Sequence, residues 1–395
     1  MKYAYANEVN KIIGSETESA DITKTLVDKF YSNLIKPSDK TLIDFAFSER
    51  VEQSDVDEFI KNWDIEEAGG TKALLLSYMI KEQPHIKFSQ YEAPRLEGLF
   101  NFYRFRNLQT IAHYTKIGKK LNENNIFPMI LKGGAMKYLR PELPRVMEDI
   151  DILVSSDAEF SKACEIAENL GYEFELDATE HSVDLHSKGS LAGTVDVHRY
   201  IYMEADYDKS FMKTLFSRAT KTKVFGVDSF VPCYEDMVFV GMINLARNLH
   251  RNTSIKGVLY TLFDIKFLKE KPNFNWDIVV ENTLKTNTSM QMYLVVDFVN
   301  KIVPGLLPEN LLQNKQIEKD VARYCDRVMF YRFYVHDVKM ICKKLKLKDA
   351  LKSFSVMKEY IKAKPKHFVL KRINKNYKLI KTFLKFVNIR EKKVV

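Results

Sequence analysis

The stretch Ile126-Phe127-Pro128-Met129-Ile130-Leu131-Lys132-Gly133-Gly134-Ala135-Met136-Lys137-Tyr138-Leu139, followed by Asp149-Ile150-Asp151-Ile152-Leu153-Val154, decides how this chain is read. The apolar run up to Leu131 suits a short buried strand. Lys132-Gly133-Gly134 then reads as a turn, and Ala135 to Leu139 as the start of a helix. Asp149 to Val154 alternates polar and apolar before becoming wholly apolar, the pattern of a strand with one polar face. Residues two apart in a strand point to the same side. Asp149 and Asp151 therefore stand next to each other, while Ile150 and Ile152 enter the core.

Working outward, Asp157 to Leu170 reads as a helix, with Ser156 or Asp157 as its N-cap and Gly171 just past its end. Tyr172 to Leu176 is a further strand. His181 to Ser187 and Thr194 to Tyr200 alternate around Lys188-Gly189-Ser190 and read as a hairpin. Upstream, a long helix is expected from Leu96 to Leu121, with Leu99, Phe102, Phe105, Leu108, Tyr114, Ile117 and Leu121 on its apolar face. The chain divides into an N-terminal helical region (1–94), an α/β core (95–232), a helical domain packed on that core (233–305) and a basic helical C-terminal region (306–395). The fold class is α+β, a mixed β-sheet core flanked by N-terminal and C-terminal helical regions.

Of the 395 residues, 46% are hydrophobic and 29% charged, a balance that excludes global disorder. No apolar run approaches the roughly 18 residues of a membrane-spanning helix, and the N-terminus lacks the apolar stretch of a secretion signal. Cys164, Cys233, Cys325 and Cys342 are scattered and form no Cys-x-x-Cys pair, which argues against a zinc knuckle or a disulfide framework and for reduced thiols. The net charge of +9 is unevenly placed: from Lys339 onward there are 19 Lys and Arg against 3 Asp and Glu, and elsewhere 42 against 49. Within that tail Val369, Ile373, Ile380, Phe383, Leu384 and Val387 form an apolar stripe among lysines. A helix packed on the body, an anionic membrane surface and RNA or another polyanion all suit it.

The chemistry lies in the acids and the glycines. Two neighbouring carboxylates repel unless something neutralises them. Magnesium does so through carboxylate oxygens and keeps room for phosphate, and two such ions can hold the attacking and leaving oxygens of a phosphoryl displacement. A third acid from a nearby strand usually completes such a site. Asp196 in Val195-Asp196-Val197-His198 is the best candidate, with Asp184 as the alternative. Two glycines between a strand and a helix let backbone N–H groups approach a phosphate, with the helix N-terminus and the Lys132 ammonium adding favourable charge. His181, His186 and His198 cluster in the hairpin, where cross-strand polar pairing competes with a separate metal site. Arg247, His250 and Arg251 suit either substrate contact or a solvated helix end, and Asp264 either a site role or a buried structural acid.

Ile130 to Met136, Arg145 to Val154 and Val195 to His198 together resemble the uncharacterised nucleotidyltransferase family, a branch of the polymerase-beta-like nucleotidyltransferase superfamily, over about residues 95–300. The resemblance implies a nucleotidyltransferase core with Asp149, Asp151 and, in preference to Asp184, Asp196 as catalytic, metal-binding carboxylates. Gly133 and Gly134 would hold the nucleotide phosphates with Lys132 nearby, Arg145 would contact phosphate or substrate, and His198 would be a secondary site residue. It also implies magnesium, with two ions expected, and a nucleoside triphosphate such as ATP as substrate. An acceptor hydroxyl or phosphate would attack the α-phosphate and release pyrophosphate. The acceptor classes left open are small molecules, glycans and polymers. Two departures are the Gly133-Gly134 pair where the superfamily often has Gly-Ser, and the 14 residues between Gly134 and Asp149, which include Pro141 and Pro144. The rivals are a non-catalytic nucleotide-binding or scaffold protein on the same fold and a transferase acting on RNA ends or protein hydroxyls. The expected location is the cytoplasm, peripheral to the membrane if the tail binds lipid. In that case the protein sediments with anionic vesicles at low salt and is released at high salt; no binding at low salt rules the membrane out.

Overall fold

The computed structural model describes residues 22–63, 69–143, 145–174, 182–187, 193–201, 209–251 and 255–322. Cys325, Cys342, His181, the Lys188-Gly189-Ser190 turn and the basic tail lie outside them. Cys164 and Cys233 are free thiols. Among the described residues no helix is long and apolar enough to cross a membrane.

The strands are β1 (Met129–Ile130), β2 (Asp149–Leu153), β3 (Tyr172–Phe174), β4 (Ser182–Ser187), β5 (Thr194–His198), β6 (Thr220–Val224) and β7 (Val227–Val231). They form one sheet in the order β3-β4-β5-β2-β1-β7-β6. It is mixed: β2 runs parallel to β5 and β1 parallel to β7, while the remaining neighbours are antiparallel. Ile150 and Ile152 are fully buried, as the alternation in β2 requires. The helices are α1 (Ile22–Leu34), α2 (Pro37–Phe47), α3 (Gln53–Lys61), α4 (Gly69–Glu82), α5 (Glu92–Glu123), α6 (Lys132–Leu139), α7 (Asp157–Asn169), α8 (Lys209–Arg218), α9 (Tyr234–Arg251), α10 (Ile255–Leu268), α11 (Trp276–Lys285) and α12 (Ser289–Ile302). The fold is therefore α+β, a mixed seven-stranded sheet with helices before and after it.

Ser156 caps α7 by accepting from the Glu159 N–H, and Gly171 follows the helix at φ +83°. The β4–β5 pairing confirms the expected hairpin strands, and α9 to α12 lie within the stretch 233–305 expected to be helical. The β6–β7 hairpin is an addition to what the sequence suggested. Its Phe225-Gly226 turn has positive φ at both residues, the twist that suits a two-residue hairpin connection.

Two expectations need correction. Lys132-Gly133-Gly134 does not precede the helix as a separate turn: α6 starts at Lys132, so the glycines lie in its first helical turn. The chain changes direction at Lys132, which takes a left-handed φ of +43°, an unusual conformation for a residue with a side chain. The buried face of α5 also differs from the expected one. It comprises Leu96, Asn107, Thr110, Tyr114, Ile117, Gly118 and Leu121, while Phe102, Phe105 and Leu108 are more than half exposed. Asn107 and Thr110 displace aromatic residues from that face because both bond to the chain that leads into β2.

Around this core, α2 to α5 share a cluster of Leu42, Phe45, Val51, Val56, Phe59, Leu76, Ile86 and Leu96, and α1 packs on α12. Gly193 immediately precedes β5 with φ +83°, and a Cβ built there would lie 2.8 Å from the Thr110 Cα. Backbone cannot move aside as a flexible side chain can. Gly193→Ala is expected to lower the unfolding free energy by about 1–3 kcal/mol through combined strain and overpacking, as read by urea denaturation.

Candidate active site

The parallel pairing of β2 with β5 sets Asp151 opposite Asp196 and Leu153 opposite His198. Asp149 and Asp151 share one face of β2, and Asp196 and His198 share the matching face of β5. His198 lies between the two acids, its Nε2 2.9 Å from Asp151 Oδ1 and 2.9 Å from Asp196 Oδ2. The Lys132 ammonium pairs with Asp151 from the start of α6. The structure thus brings together Asp151, Asp196, His198 and Lys132, with Asp149 half-buried two residues along the strand. Asp184, directly opposite Asp196 on β4, extends the acidic row by one strand. His186 is exposed at the β3–β4 pair, away from this group.

Burial opposes charge on Lys132, Asp149, Asp151, Asp196 and His198, and the neighbours decide which keep it. Burial raises Asp151, but the Lys132 charge and the His198 hydrogen bond outweigh it and hold the carboxyl well below its ordinary value. Burial and the nearby Asp151 charge push Asp149 upward. Burial and Lys132 lower His198, yet Asp196 and the hydrogen bonds to both acids carry its pKa up to about 9. Asp196 is lowered overall: burial raises it, and the His198 charge and hydrogen bond more than compensate.

Asp151, Asp196 and His198 each offer one ligand atom, and these atoms lie within 4.8 Å of one another. Asp196 Oδ1 is buried without a hydrogen-bond partner. A buried carboxylate oxygen left unsatisfied is costly, and a cation would satisfy it. The donor set therefore fits a divalent ion.

The remaining expected residues sit close by. Both glycines are buried, and their missing Cβ atoms make room for specific neighbours. A Cβ on Gly134 would lie 2.8 Å from Ile130 Cδ1 and 3.2 Å from Ile150 Cγ2; one on Gly133 would lie 3.1 Å from Arg145 Nε. Arg145 is itself buried. Its Nη1 donates to Asp264 Oδ1 at 2.5 Å, and its guanidinium lies 4.4 Å from the centre of the Tyr260 ring. Asp264 is thus a buried, paired acid, with burial raising its pKa against the lowering effect of Arg145. Lys132, Arg145, Asn244, Gly257, Tyr260 and Asp264 line a cavity between α6, α9 and α10. The side chains of His250 and Arg251 lie outside the described residues.

Sequence reasoning missed Asn107, Thr110 and Tyr260, which hold the segment leading into β2. The available signal was Asn107 and Thr110 at helical spacing with Tyr114 and Ile117, polar residues continuing an apolar face.

The family model described as uncharacterised nucleotidyltransferase matches residues 73–304, more than half of the chain. The chain belongs to the uncharacterised nucleotidyltransferase family. No curated protein matches it. Solved structures similar to this nucleotidyltransferase include the antibiotic-resistance factor ANT(2'')-Ia, at 11% identity over 58% of this chain and 98% of that one, with a TM-score of 0.29. Another is an antigenic nucleotidyltransferase-like protein from Paracoccidioides brasiliensis, at 13% identity over 47% of this chain and 91% of that one, with a TM-score of 0.28.

The Arg145–Asp264 pair gives this nucleotidyltransferase a measurable weak point. Asp264→Ala would strand a buried guanidinium and should lower the unfolding free energy by about 3–5 kcal/mol. Replacing both partners, Arg145→Met with Asp264→Leu, should cost far less, since no charge is then left unpaired. Equilibrium denaturation of the single and double variants distinguishes the two.

Proposed function

We propose that the protein is a metal-dependent nucleotidyltransferase that moves a nucleoside monophosphate from a nucleoside triphosphate to an acceptor, with release of pyrophosphate. The observation that carries this reading is the unpartnered, buried Asp196 Oδ1 beside Asp151. Asp149, Asp151 and Asp196 are the catalytic carboxylates and would hold magnesium, with two ions as the expected complement. Bound there, the metal would lower the pKa of the acceptor and offset charge on the transferring phosphoryl group.

The chain's own residues supply binding and orientation. The first-turn N–H groups of α6, at Gly133 and Gly134, together with the Lys132 ammonium, favour the triphosphate. Lys132 pairs with Asp151 at the start of α6, which places its positive charge beside the proposed phosphate site. Arg145 lies beside Gly133, with its charge shared with Asp264. His198 orients Asp151 and Asp196 through its shared Nε2. In the reaction a bond forms between the acceptor oxygen and the α-phosphorus, and the bond from that phosphorus to the bridging oxygen breaks. Pyrophosphate leaves with the electron pair, and the acceptor proton passes to solvent. In-line placement of the reacting groups is the main service such a site offers.

Incubation with labelled ATP and other nucleoside triphosphates, magnesium and candidate hydroxyl or phosphate acceptors is expected to give labelled product and pyrophosphate. Chelation of the metal, or Asp149→Ala combined with Asp151→Ala, should bring turnover below detection. Transfer that survives the double substitution refutes the assignment. Nucleotide binding by calorimetry without pyrophosphate release from any acceptor class points instead to a non-catalytic nucleotide-binding protein.

A further inference from the structure

The residues that lead into β2 are held by side chains where a strand would normally do the work. The Asn107 amide spans two peptide groups: its Nδ2 donates to the Arg145 C=O at 2.6 Å, and its Oδ1 accepts from the Met147 N–H at 2.8 Å. From the other direction, Tyr260 Oη accepts from the Val146 N–H at 3.0 Å and donates to the Val146 C=O at 2.9 Å. The Glu148 C=O accepts from the Thr194 N–H at 3.1 Å, the first bond of the β5 side. Two helices thus extend the edge of β2 with an amide and a phenol in place of a backbone ladder.

This matters because β2 has a strand on both sides only at its far end. β1 pairs with Ile152 and Leu153, and the Leu131 N–H reaches the Asp151 C=O before the chain turns into α6. At Asp149 the ladder has a partner on the β5 side alone, at Thr194. A strand end tied on one side is free to fray or slip, and a slip of one residue turns its carboxylates to the opposite face. The helix α10 meets the same segment through residues four apart on one face. Lys256 pairs with Glu148 at 2.7 Å, Tyr260 takes both polar groups of Val146, and Asp264 takes Arg145.

We propose that Asn107 and Tyr260 are positioning residues that fix the register and height of the Asp149 and Asp151 carboxylates, acting through the backbone of residues 145–147. Both bond to that backbone. The claim rests on the metal-site reading of those carboxylates. Groups that orient metal ligands from behind typically change metal affinity by about 10–100-fold when removed.

The test uses the full chain and manganese(II) alone, titrated by electron paramagnetic resonance, with thermal melting of each variant as a check on folding. Tyr260→Phe removes one oxygen and keeps the ring beneath Arg145. Asn107→Leu removes the amide at similar size. The control is Tyr114→Phe, which lies on the same helix as Asn107 and loses an equally buried bond, to Ser229 Oγ at 2.5 Å, away from β2. Tyr260→Phe is expected to weaken manganese binding about tenfold, and Asn107→Leu to do the same. Tyr114→Phe should lower the melting temperature and leave the binding constant unchanged. Should Asn107→Leu fail to fold, Tyr260→Phe alone decides. Binding by Tyr260→Phe that is no weaker than that of Tyr114→Phe overturns the positioning role and leaves the metal site standing. A wild-type chain that binds no manganese overturns the metal-site reading and the positioning claim together.

Discussion

The parallel register of β2 against β5, with Asp151 level with Asp196, is the constraint on which the site depends. It sets two carboxylates side by side on one face of a buried sheet, where repulsion between like charges is poorly screened. Everything around the pair answers that repulsion. Lys132 enters from α6 and His198 from β5 itself; both reach Asp151 Oδ1, and His198 also reaches Asp196 Oδ2. Asp196 Oδ1 is left over. A group of acids that protein cations only partly satisfy is suited to accept a metal ion, because a stronger cation can take the place of the lysine.

The same logic explains the local backbone. Lys132 must turn from β1 into α6 within one residue to place its ammonium on Asp151, and it takes a left-handed φ to do so. The two glycines that follow let α6 lie close to β2 and to Arg145. Arg145 could not be buried there alone. Asp264 supplies the opposite charge and Tyr260 the flat surface, both from one face of α10. The helices that follow the sheet are therefore tied electrostatically to the segment that carries the acids.

Much of this was legible in the sequence. The alternation Asp149-Ile150-Asp151-Ile152 is a local property, so the strand, its polar face and its buried face could be read directly. The Val195 to His198 strand carries the same period, and the caps at Ser156 and Gly171 are short-range signals. The buried face of α5 was not legible in the same way. Hydropathy favoured Phe102, Phe105 and Leu108, whereas the fold buries Asn107 and Thr110, because their value comes from hydrogen bonds to residues about forty positions away. The β6–β7 hairpin went unread for a related reason: its lysines face outward and its valines inward, but a short two-residue turn separates the strands and neither is long.

By itself, then, the sequence determined the kinds of residue and their local periodicity: the carboxylate pair on one strand, the Asp-x-His pair on another, and the glycines between a strand and a helix. Backbone geometry translates such spacing into facing with no help from the rest of the chain. Only the tertiary structure decided which acid stands beside which, that His198 bridges Asp151 and Asp196, that Arg145 is engaged by Asp264, and that Asn107 and Tyr260 hold the approach to β2. Those are contacts between distant positions, set by strand order and helix packing, and no local pattern encodes them.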